Sequence, residues 1–297
     1  MFCTTWPDDA GIAETLDRVN ALGLQLASKL RRVTYHAVYD DSIIDALRYA
    51  RDNGFAGVQV AVETPHLSPA ALSCEQRAEV KTFVQANGLL LSIHGPDEVA
   101  SFVVSDPYLS EGILGYWSAL FEFAEQIGAN IITFHLGSIP SFGTDTAPRV
   151  LIPDVDLAIY RRTIAGNLNR LIELANGRFT LCAENYNIDQ LILDVLEPLI
   201  KSGSLALCWD FAKTYRSTGV VDTQLENYFR TNAEFVKQVH LHDITDHSHA
   251  VIGYGCVDFR SFLDVLADAD VREYCIEVRP REKAKESLGS FRAMLGL

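Results

Sequence analysis

The chain has 297 residues, 48% of them hydrophobic, and a formal net charge of −14. Its length and apolar content suit one large α/β domain with a sizeable core. An acidic surface repels phosphate backbones, and no run of Lys and Arg offers a basic groove, so nucleic acid is not expected as a partner.

Apolar runs typical of buried strands alternate with segments of helical spacing along the chain. The strands are predicted near residues 32–37, 56–62, 89–94, 130–135, 179–184, 205–210, 236–242 and 272–278. The helices are predicted near 41–53, 73–87, 109–127, 157–176, 187–199, 222–232, 258–268 and 281–294. Eight strand–helix pairs in strict order predict an α/β fold in which a parallel sheet closes into a single (β/α)8 TIM barrel.

Two segments fall outside this alternation. Residues 1–30 have helical spacing and an acidic start, which predicts a short helical N-terminal extension before a barrel at 31–297. The longest interruption, roughly 138–156, is rich in Ser, Pro, Gly, Thr and Asp. Because loops of this length are often functional, we expect it to lie over the site.

Six acidic or imidazole side chains each stand at the last position of an apolar run. They are His94, His135, Glu184, Asp210, His240 and Glu277. The C-terminal ends of parallel barrel strands meet on one face, where catalytic groups collect. Residues two positions earlier share the same face of each strand. These are Ser92, Thr133, Cys182, Cys208, Gln238 and Cys275, a mostly small layer that suits a barrel interior.

Four of the six side chains come from consecutive strands, the fifth to the eighth. Glu184, Asp210, His240 and Glu277 supply three carboxylates and one imidazole. This oxygen-rich set predicts one divalent metal ion, with Mn²⁺, Mg²⁺ or Co²⁺ favoured and Zn²⁺ also compatible. The alternative for each residue alone is a satisfied polar side chain at a strand end. Clustering all four without a cation would leave unpaired carboxylates close together, which is costly.

Other polar residues flank this quartet. His94 and His135 stand on the opposite wall, where they bind either further metal or substrate oxygens; substrate contact is preferred because additional metal ligands look incomplete. Lys213 and Arg279 are candidates for binding a carboxylate, phosphate or enediolate oxygen, with salt bridges to the acidic cluster as the alternative. Asp243 is a candidate for orienting a ligand histidine.

Cysteine usage and the N-terminus bear on location. The six cysteines include no CxxC pair, and several lie in predicted strands, which indicates reduced thiols and a cytoplasmic protein. The first residues lack the basic start and apolar stretch of a signal peptide. No apolar run approaches the length that crosses a bilayer, so no membrane association is expected.

Short motifs in fixed order connect the chain with a known family. They are GFAGVQVAVE, LLLSIHGPD, IITFHLG, LCAENYN, LALCWDFAK, VHLHD, the H-x3-G-x-G stretch from His249 to Gly255, and CIEVRP. Through these motifs and their order, the chain resembles the xylose-isomerase-like TIM-barrel superfamily, which includes sugar isomerases, sugar epimerases and apurinic-site endonucleases. The resemblance covers about residues 32–295.

The resemblance implies a divalent-metal-dependent isomerase or epimerase of a sugar-like ketose or hydroxy-carbonyl compound. The ligands of single-metal members match Glu184, Asp210, His240 and Glu277. It also implies that Glu184 and Glu277 are the acid and base, acting through a metal-bound enediolate. The candidates for binding the small-molecule substrate are His94, His135, Lys213, His249 and Arg279. Related barrels often pair, which leaves a homo-oligomer as an open alternative.

Two other functions compete with this prediction. The endonuclease-like members are metal-dependent phosphodiester hydrolases that use nine ligands for three zinc ions. Here Lys213 stands where that pattern has His, and His247 stands where it has Asp, which argues against a trinuclear site. The other competitor is a non-catalytic, ligand-binding barrel, against which the retained Glu184 and Glu277 argue. A lyase acting through the same enolate is a close neighbour of the isomerase.

Overall fold

Eight parallel strands close into one barrel in the computed structural model, which describes residues 29, 31–97, 99–140, 153–216 and 219–295. Neighbours in sequence pair with each other, and the last strand pairs with the first. The strands are β1 Val33–Ala37, β2 Gly57–Ala61, β3 Leu90–His94, β4 Ile131–Phe134, β5 Thr180–Glu184, β6 Ala206–Asp210, β7 Val236–Leu241 and β8 Glu273–Ile276. The predicted barrel is confirmed, with every strand inside its predicted range.

Helices follow the strands around the outside. In the described residues these are α1 Ile43–Asn53, α2 Cys74–Asn87, α3 Pro107–Ile127, α4 Asp154–Ala175, α5 Gln190–Lys201, α6 Thr223–Thr231, α7 Phe259–Val265 and α8 Arg281–Met294. Short 3₁₀ turns at Pro65–Leu67 and Pro69–Ala71 lengthen the connection from β2 to α2. Residues 1–28 and 30 of the predicted N-terminal extension, and 141–152 of the predicted long loop, lie outside the described residues.

Local capping sequences set where the helices begin and end. Ser42 accepts from the backbone N–H of Asp45, so α1 begins later than its predicted start. Ser73 and Gln76 form a reciprocal capping box at the start of α2. Asp106 caps α3, which begins at Pro107, two residues before the predicted start, because proline is well tolerated at the first helical position.

Outward-facing strand residues pack against the helices. Ile93, Phe134, Ala183, Trp209, Val239 and Ile276 are all fully buried. Trp209 lies between Phe229, with ring centroids 5.0 Å apart, and Phe262, also at 5.0 Å. Large aromatic side chains remove more apolar area from water than other residues, so this cluster fixes β6 firmly against the helices that follow it.

Inward-facing residues of the barrel form a buried polar layer, here called the interior layer, consisting of Thr34, Gln59, Ser92, Thr133, Gln238 and Glu273. Glu273 accepts hydrogen bonds from Thr34 Oγ1 at 2.5 Å, Ser92 Oγ at 2.8 Å and Gln238 Nε2 at 2.8 Å. Burial raises the pKa of Glu273, although these three donors act in the opposite direction. The layer lies beneath the mouth of the barrel and supports it.

The barrel brings one glycine against its neighbour strand. A Cβ on Gly57 would lie 1.8 Å from the carbonyl oxygen of Leu90, so no other residue fits between β2 and β3 there.

In the described part of the chain, no helix has the length and apolar character that crossing a membrane requires.

Candidate functional site

Four side chains from β5 to β8 meet at the C-terminal mouth of the barrel. Glu184 and Asp210 end their strands, His240 lies one residue before the end of β7, and Glu277 directly follows β8. All four are buried, with exposed fractions of 0–1%. One donor atom from each lies within 4.8 Å of the others. The strand ends therefore converge as the sequence predicted.

The centre of this quartet is the imidazole of His240. Its Nδ1 atom lies 3.3 Å from Oε2 of Glu184 and 3.3 Å from Oε1 of Glu277. The same nitrogen makes no hydrogen bond within the described residues, although it is buried. Divalent cations bind oxygen and nitrogen donors at about 2.0–2.2 Å, so donors around one ion stand roughly 3–4.4 Å apart. The donor types and the two 3.3 Å separations at His240 Nδ1 fit such an ion.

The carboxylates of the quartet are held in their charged form. Burial alone would raise the pKa of Glu184, but the Lys213 ammonium and the neighbouring His240 imidazole lower it well below its ordinary range. Burial also acts to raise the pKa of Glu277, but His240 and Lys213 outweigh it, and the pKa is again well below its ordinary range. For Asp210, His242 and Lys213 outweigh burial and lower the pKa to about 2.

Lys213 places its ammonium group directly on two quartet members. Its Nζ hydrogen-bonds to Oε1 of Glu184 and lies 3.2 Å from Oδ2 of Asp210. The carboxylates raise the pKa of Lys213 well above its usual value despite burial. The 3₁₀ turn Ala212–Thr214 fixes the start of this side chain, because the Lys213 backbone N–H donates to Oδ1 of Asp210 at 3.0 Å. The ammonium therefore neutralises part of the quartet's negative charge.

The opposite wall of the mouth is made of imidazoles. His94 Nε2 lies 3.3 Å, and His135 Nε2 3.0 Å, from Oε2 of Glu184. His94 Nδ1 lies 2.9 Å from the carbonyl oxygen of Gly95, and His135 Nδ1 lies 3.0 Å from Oδ1 of Asp97. Burial opposes protonation of His94, but Glu184 raises its pKa to about 9. Both rings thus turn a nitrogen toward the same carboxylate.

His36 is a site residue that the sequence analysis did not identify. It is 4% exposed, and its Nδ1 lies 3.4 Å from Oε1 of Glu277. Arg279 donates from Nη2 to the same nitrogen at 2.8 Å, which indicates that Nδ1 carries the lone pair. Burial lowers the pKa of His36 well below its usual value, even though Glu277 acts in the opposite direction. Arg279 is therefore at the mouth, as predicted, with a neutral histidine as its partner.

A second group of residues supports Asp210. The Asn185 side chain donates to the Asp210 carbonyl at 2.9 Å and accepts from its N–H at 2.7 Å, which ties the ends of β5 and β6 together. His242 places Nε2 3.2 Å from Oδ2 of Asp210, while its Nδ1 accepts the backbone N–H of His249 at 3.0 Å. The ring proton of His242 therefore belongs on Nε2, where it donates to Asp210.

His249 takes a backbone conformation that is rare for a residue with a side chain. Its φ is +59°, in the left-handed region. Its ring stacks on His242 with centroids 4.2 Å apart, and its Nε2 lies 3.6 Å from Oε2 of Glu277. Uncommon backbone of this kind persists where surrounding contacts enforce it, which is frequent at functional sites.

Asp243 has a different task from the one its position suggested. Its Oδ2 accepts from the N–H groups of Gly253 and Gly255, each at 2.9 Å. Its Oδ1 accepts from the N–H groups of Ile244 at 2.9 Å and Val257 at 3.1 Å. With four backbone donors its oxygens are satisfied, so Asp243 anchors the loop after β7 instead of orienting a histidine.

The mouth opens onto a cleft of about 490 Å³ between the ends of β6 and β7. Its lining includes Lys213, Arg216, His242 and His249, together with Tyr186, which stacks on His135 with ring centroids 4.3 Å apart. Such a volume suits a small ligand, and the mixed donors and acceptors suit one rich in oxygen. Asp246 and His247 line the outer edge of the cleft at the loop tip, where the His247 side chain is 70% exposed and its Nδ1 lies 2.6 Å from Oδ1 of Asp246.

Solved structures share this architecture. The 3-keto-D-glucoside 4-epimerase YcjR of E. coli matches with a TM-score of 0.67 at 17% identity, covering 88% of this chain and 99% of that one. The D-allulose 3-epimerase of Methylomonas sp. matches with a TM-score of 0.65 at 15% identity, and the match covers 89% of this chain and 96% of that one. Endonuclease IV of Thermus thermophilus matches with a TM-score of 0.64 at 20% identity, and the match covers 89% of this chain and 99% of that one. At these identities the likeness shows the fold.

Sequence comparison supplies the family. No curated protein matches the chain significantly. The family described as xylose isomerase-like TIM barrel matches residues 47–294, which is most of the chain. The match includes β2 to β8 and all four members of the quartet. The chain belongs to the xylose isomerase-like TIM barrel family.

Proposed function

We propose that this protein is a divalent-metal-dependent isomerase or epimerase of a small, sugar-like ketose or hydroxy-carbonyl compound. The observation that carries the proposal is the placement of Glu184 and Glu277, each of which has a carboxylate oxygen 3.3 Å from His240 Nδ1. Two carboxylates facing one centre can exchange a proton with opposite faces of a bound substrate. Two sugar epimerases are among the solved structures that share the fold of this chain, which supports this chemistry.

The metal site we propose consists of Glu184, Asp210, His240 and Glu277. Three carboxylates and one imidazole favour Mn²⁺, Mg²⁺ or Co²⁺ over softer ions, and Zn²⁺ is compatible. When bound, a divalent cation supplies Lewis acidity that polarises a carbonyl and its neighbouring hydroxyl. The ammonium of Lys213 has to leave part of its contact with Glu184 and Asp210 as a second cation approaches them.

Proton transfer is the work of the two glutamates. One carboxylate removes the proton from the carbon next to the carbonyl, and the bonding electrons move toward the carbonyl oxygen, giving an enediolate. The other glutamate, after it has taken up a proton from solvent, returns that proton either to the opposite face of the same carbon or to the neighbouring carbon. The first course is epimerisation and the second is isomerisation. Their low pKa values keep Glu184 and Glu277 ionised, so either one can act as the base.

Residues around the glutamates are proposed to bind the substrate. His94 and His135 face Glu184 from the other wall and can hydrogen-bond to hydroxyl oxygens. Lys213, once displaced from the carboxylates, stabilises negative charge that develops on oxygen. His249 and Arg279 lie at the Glu277 side of the mouth, within reach of the substrate's other end.

The decisive experiment measures metal content and solvent exchange in the same preparation. We expect about one Mn²⁺ or Co²⁺ per chain by elemental analysis after loading. We also expect deuterium from heavy water to enter a ketose of a pentose or hexose panel, followed by NMR. Glu184→Gln and Glu277→Gln should each abolish exchange while the circular dichroism spectrum stays unchanged. Glu122→Gln, an exposed change on α3, is the matched control and should exchange like wild type.

A phosphodiester hydrolase is the competing function, favoured by one observation. His94 and His135 both face Oε2 of Glu184, which would complete a second metal site. Lys213 argues against it, because an ammonium cannot serve as the ligand that a three-zinc site requires there. About three zinc ions per chain, together with cleavage of DNA containing an abasic site, would replace our proposal with this one.

Net charge and cysteine chemistry bear on the type of substrate and on the cellular location of the protein. We propose a small-molecule substrate with no nucleic-acid partner, since the net charge is −14. The five cysteines in the described residues are free thiols, and three of them are buried, as a reducing, cytoplasmic location would allow.

A further inference from the structure

The two ring nitrogens of His240 face different surroundings. Nδ1 is directed at Glu184 and Glu277, whereas Nε2 lies 3.2 Å from the side-chain nitrogen of Gln59 on β2. The ring is completely buried, so water does not reach either nitrogen. The protein groups at the two nitrogens therefore decide which of them carries the ring proton, and Gln59 is the group at Nε2.

Gln59 is an unusual residue for the inside of a barrel. It is fully buried in the interior layer, where its Nε2 also lies 3.5 Å from Thr133 Oγ1. Its carbonyl oxygen Oε1 has no hydrogen-bond partner within the described part of the chain. Burying an amide without full hydrogen bonding costs free energy, so a Gln here needs a compensating role.

We propose that Gln59 is a positioning residue for metal binding, acting through His240. This inference rests on the metal site of the proposed function. A histidine that binds a cation through Nδ1 must present a lone pair there, so its proton must sit on Nε2. A buried Nε2–H needs an acceptor, and the partners of ligand histidines commonly fill this role.

The amide suits this task because it offers both kinds of group. In the structure the NH₂ group faces Nε2, which matches a ring that carries its proton on Nδ1. A half-turn of the amide places Oε1 at the same point, and the oxygen then accepts from Nε2–H. Gln59 can thus hydrogen-bond to His240 in either tautomer. A carboxylate at this position could only accept from Nε2–H, the tautomer that binds a cation through Nδ1, and an apolar side chain could bond to neither tautomer.

Gln238 provides a matched control from the same layer. It is also a fully buried glutamine, and it donates to Glu273 without a hydrogen bond to His240. Gln238→Met and Gln59→Met remove the same chemical group and leave the same side-chain length. A merely structural role for Gln59 would make both variants lose stability with unchanged metal affinity.

Titration calorimetry with Mn²⁺ tests the proposal. Gln59→Met should weaken binding about 10- to 100-fold, the usual range for the partner of a ligand histidine. Gln59→Glu keeps the acceptor and should stay within a few-fold of wild type, as should Gln238→Met. Equal affinities for wild type and Gln59→Met, or equal losses in Gln59→Met and Gln238→Met, would overturn the proposal.

A second measurement does not need metal or activity. Long-range proton–nitrogen NMR reports which nitrogen of His240 is protonated, with the signal assigned from its loss in His240→Gln. Gln59→Glu should move the proton from Nδ1 to Nε2 in the metal-free protein, and an unchanged tautomer would reject the role of Gln59. If wild type binds no divalent ion, the proposed function fails, and this spectrum still decides whether Gln59 controls the ring.

Discussion

The two halves of the barrel mouth carry different chemistry. Strands β5 to β8 deliver three carboxylates and one imidazole, the quartet described above, and each of these side chains is buried. Strands β1, β3 and β4 deliver His36, His94 and His135, with Asp97 behind the last two. The first half is rich in negative charge, while the second offers imidazole groups that donate or accept hydrogen bonds.

Under the proposed function, this division assigns metal binding to one half of the mouth and substrate recognition to the other. The anionic half has too much negative charge to be stable alone, and Lys213 and His240 supply the compensation seen in the pKa values. The imidazole half contributes hydrogen bonds whose direction depends on tautomer. Substitutions in the two halves should therefore differ in whether they change metal affinity or turnover.

Removing a carboxylate from the anionic half should have the largest effect. Asp210→Asn removes a charged donor without touching the proposed acid and base, so Mn²⁺ affinity should fall by more than the roughly 10- to 100-fold typical of indirect partners. Calorimetry measures the dissociation constant. Asp246→Asn, at the exposed loop tip, is the control and should bind like wild type. Unchanged affinity in Asp210→Asn would remove Asp210 from the metal site.

A change in the imidazole half should leave the metal in place. His94→Asn should lower kcat/KM about 10- to 100-fold, the loss expected when one strong hydrogen bond to substrate disappears. The Mn²⁺ dissociation constant should stay within a few-fold of wild type. If the number of bound metal ions falls instead, His94 is a ligand, and the two halves do not divide the work as we propose.

Lys213 stands at the boundary between the halves and should show opposite effects on the two properties. Lys213→Met removes the ammonium that competes for Glu184 and Asp210, so Mn²⁺ should bind about tenfold more tightly while turnover falls. Lys285→Met, an exposed lysine on α8, controls for net charge and should change neither. Weaker Mn²⁺ binding in Lys213→Met would mean that the lysine organises the site for metal.

The smallest effect concerns the interior layer beneath both halves. The pKa of Glu273 is raised in the folded chain, so the native state binds more protons than the unfolded chain between the ordinary and the raised pKa. Stability from this group therefore falls as pH rises through that window. Glu273→Gln removes the titration, so its free energy of unfolding relative to wild type should be higher at about pH 8 than at about pH 5. Urea unfolding measures this difference, and a pH-independent difference would show that Glu273 does not titrate there.

The sequence was sufficient for the barrel and the quartet because both follow from local patterns. Apolar runs give the strands, and a carboxylate or imidazole at the end of a run stands out against them. Glu184, Asp210 and Glu277 are visible in this way without knowledge of any contact. Their convergence then follows from the geometry of a closed parallel barrel.

The residues that were missed depend on pairing between distant strands. His36 lies one residue before the end of β1, a position like that of His240, so the same criterion applied one residue earlier would have found it. Glu273 shares strand parity with Cys275 and Glu277 but carries no signal of its three hydrogen-bond partners. The role of Gln59 rests on a contact across 181 positions, which no local pattern encodes.

The loop after β7 is anchored at its base and exposed at its tip. One carboxylate, Asp243, gathers four peptide groups, and a Cβ on Gly255 would lie 2.1 Å from the carbonyl oxygen of Ile244. The side chains of Asp246 and His247 at the tip are exposed, and Asp246 contacts its neighbours Thr245 and His247. Under the proposed function, substitutions at the tip can therefore change what the cleft accepts while the anchored base of the loop keeps its shape.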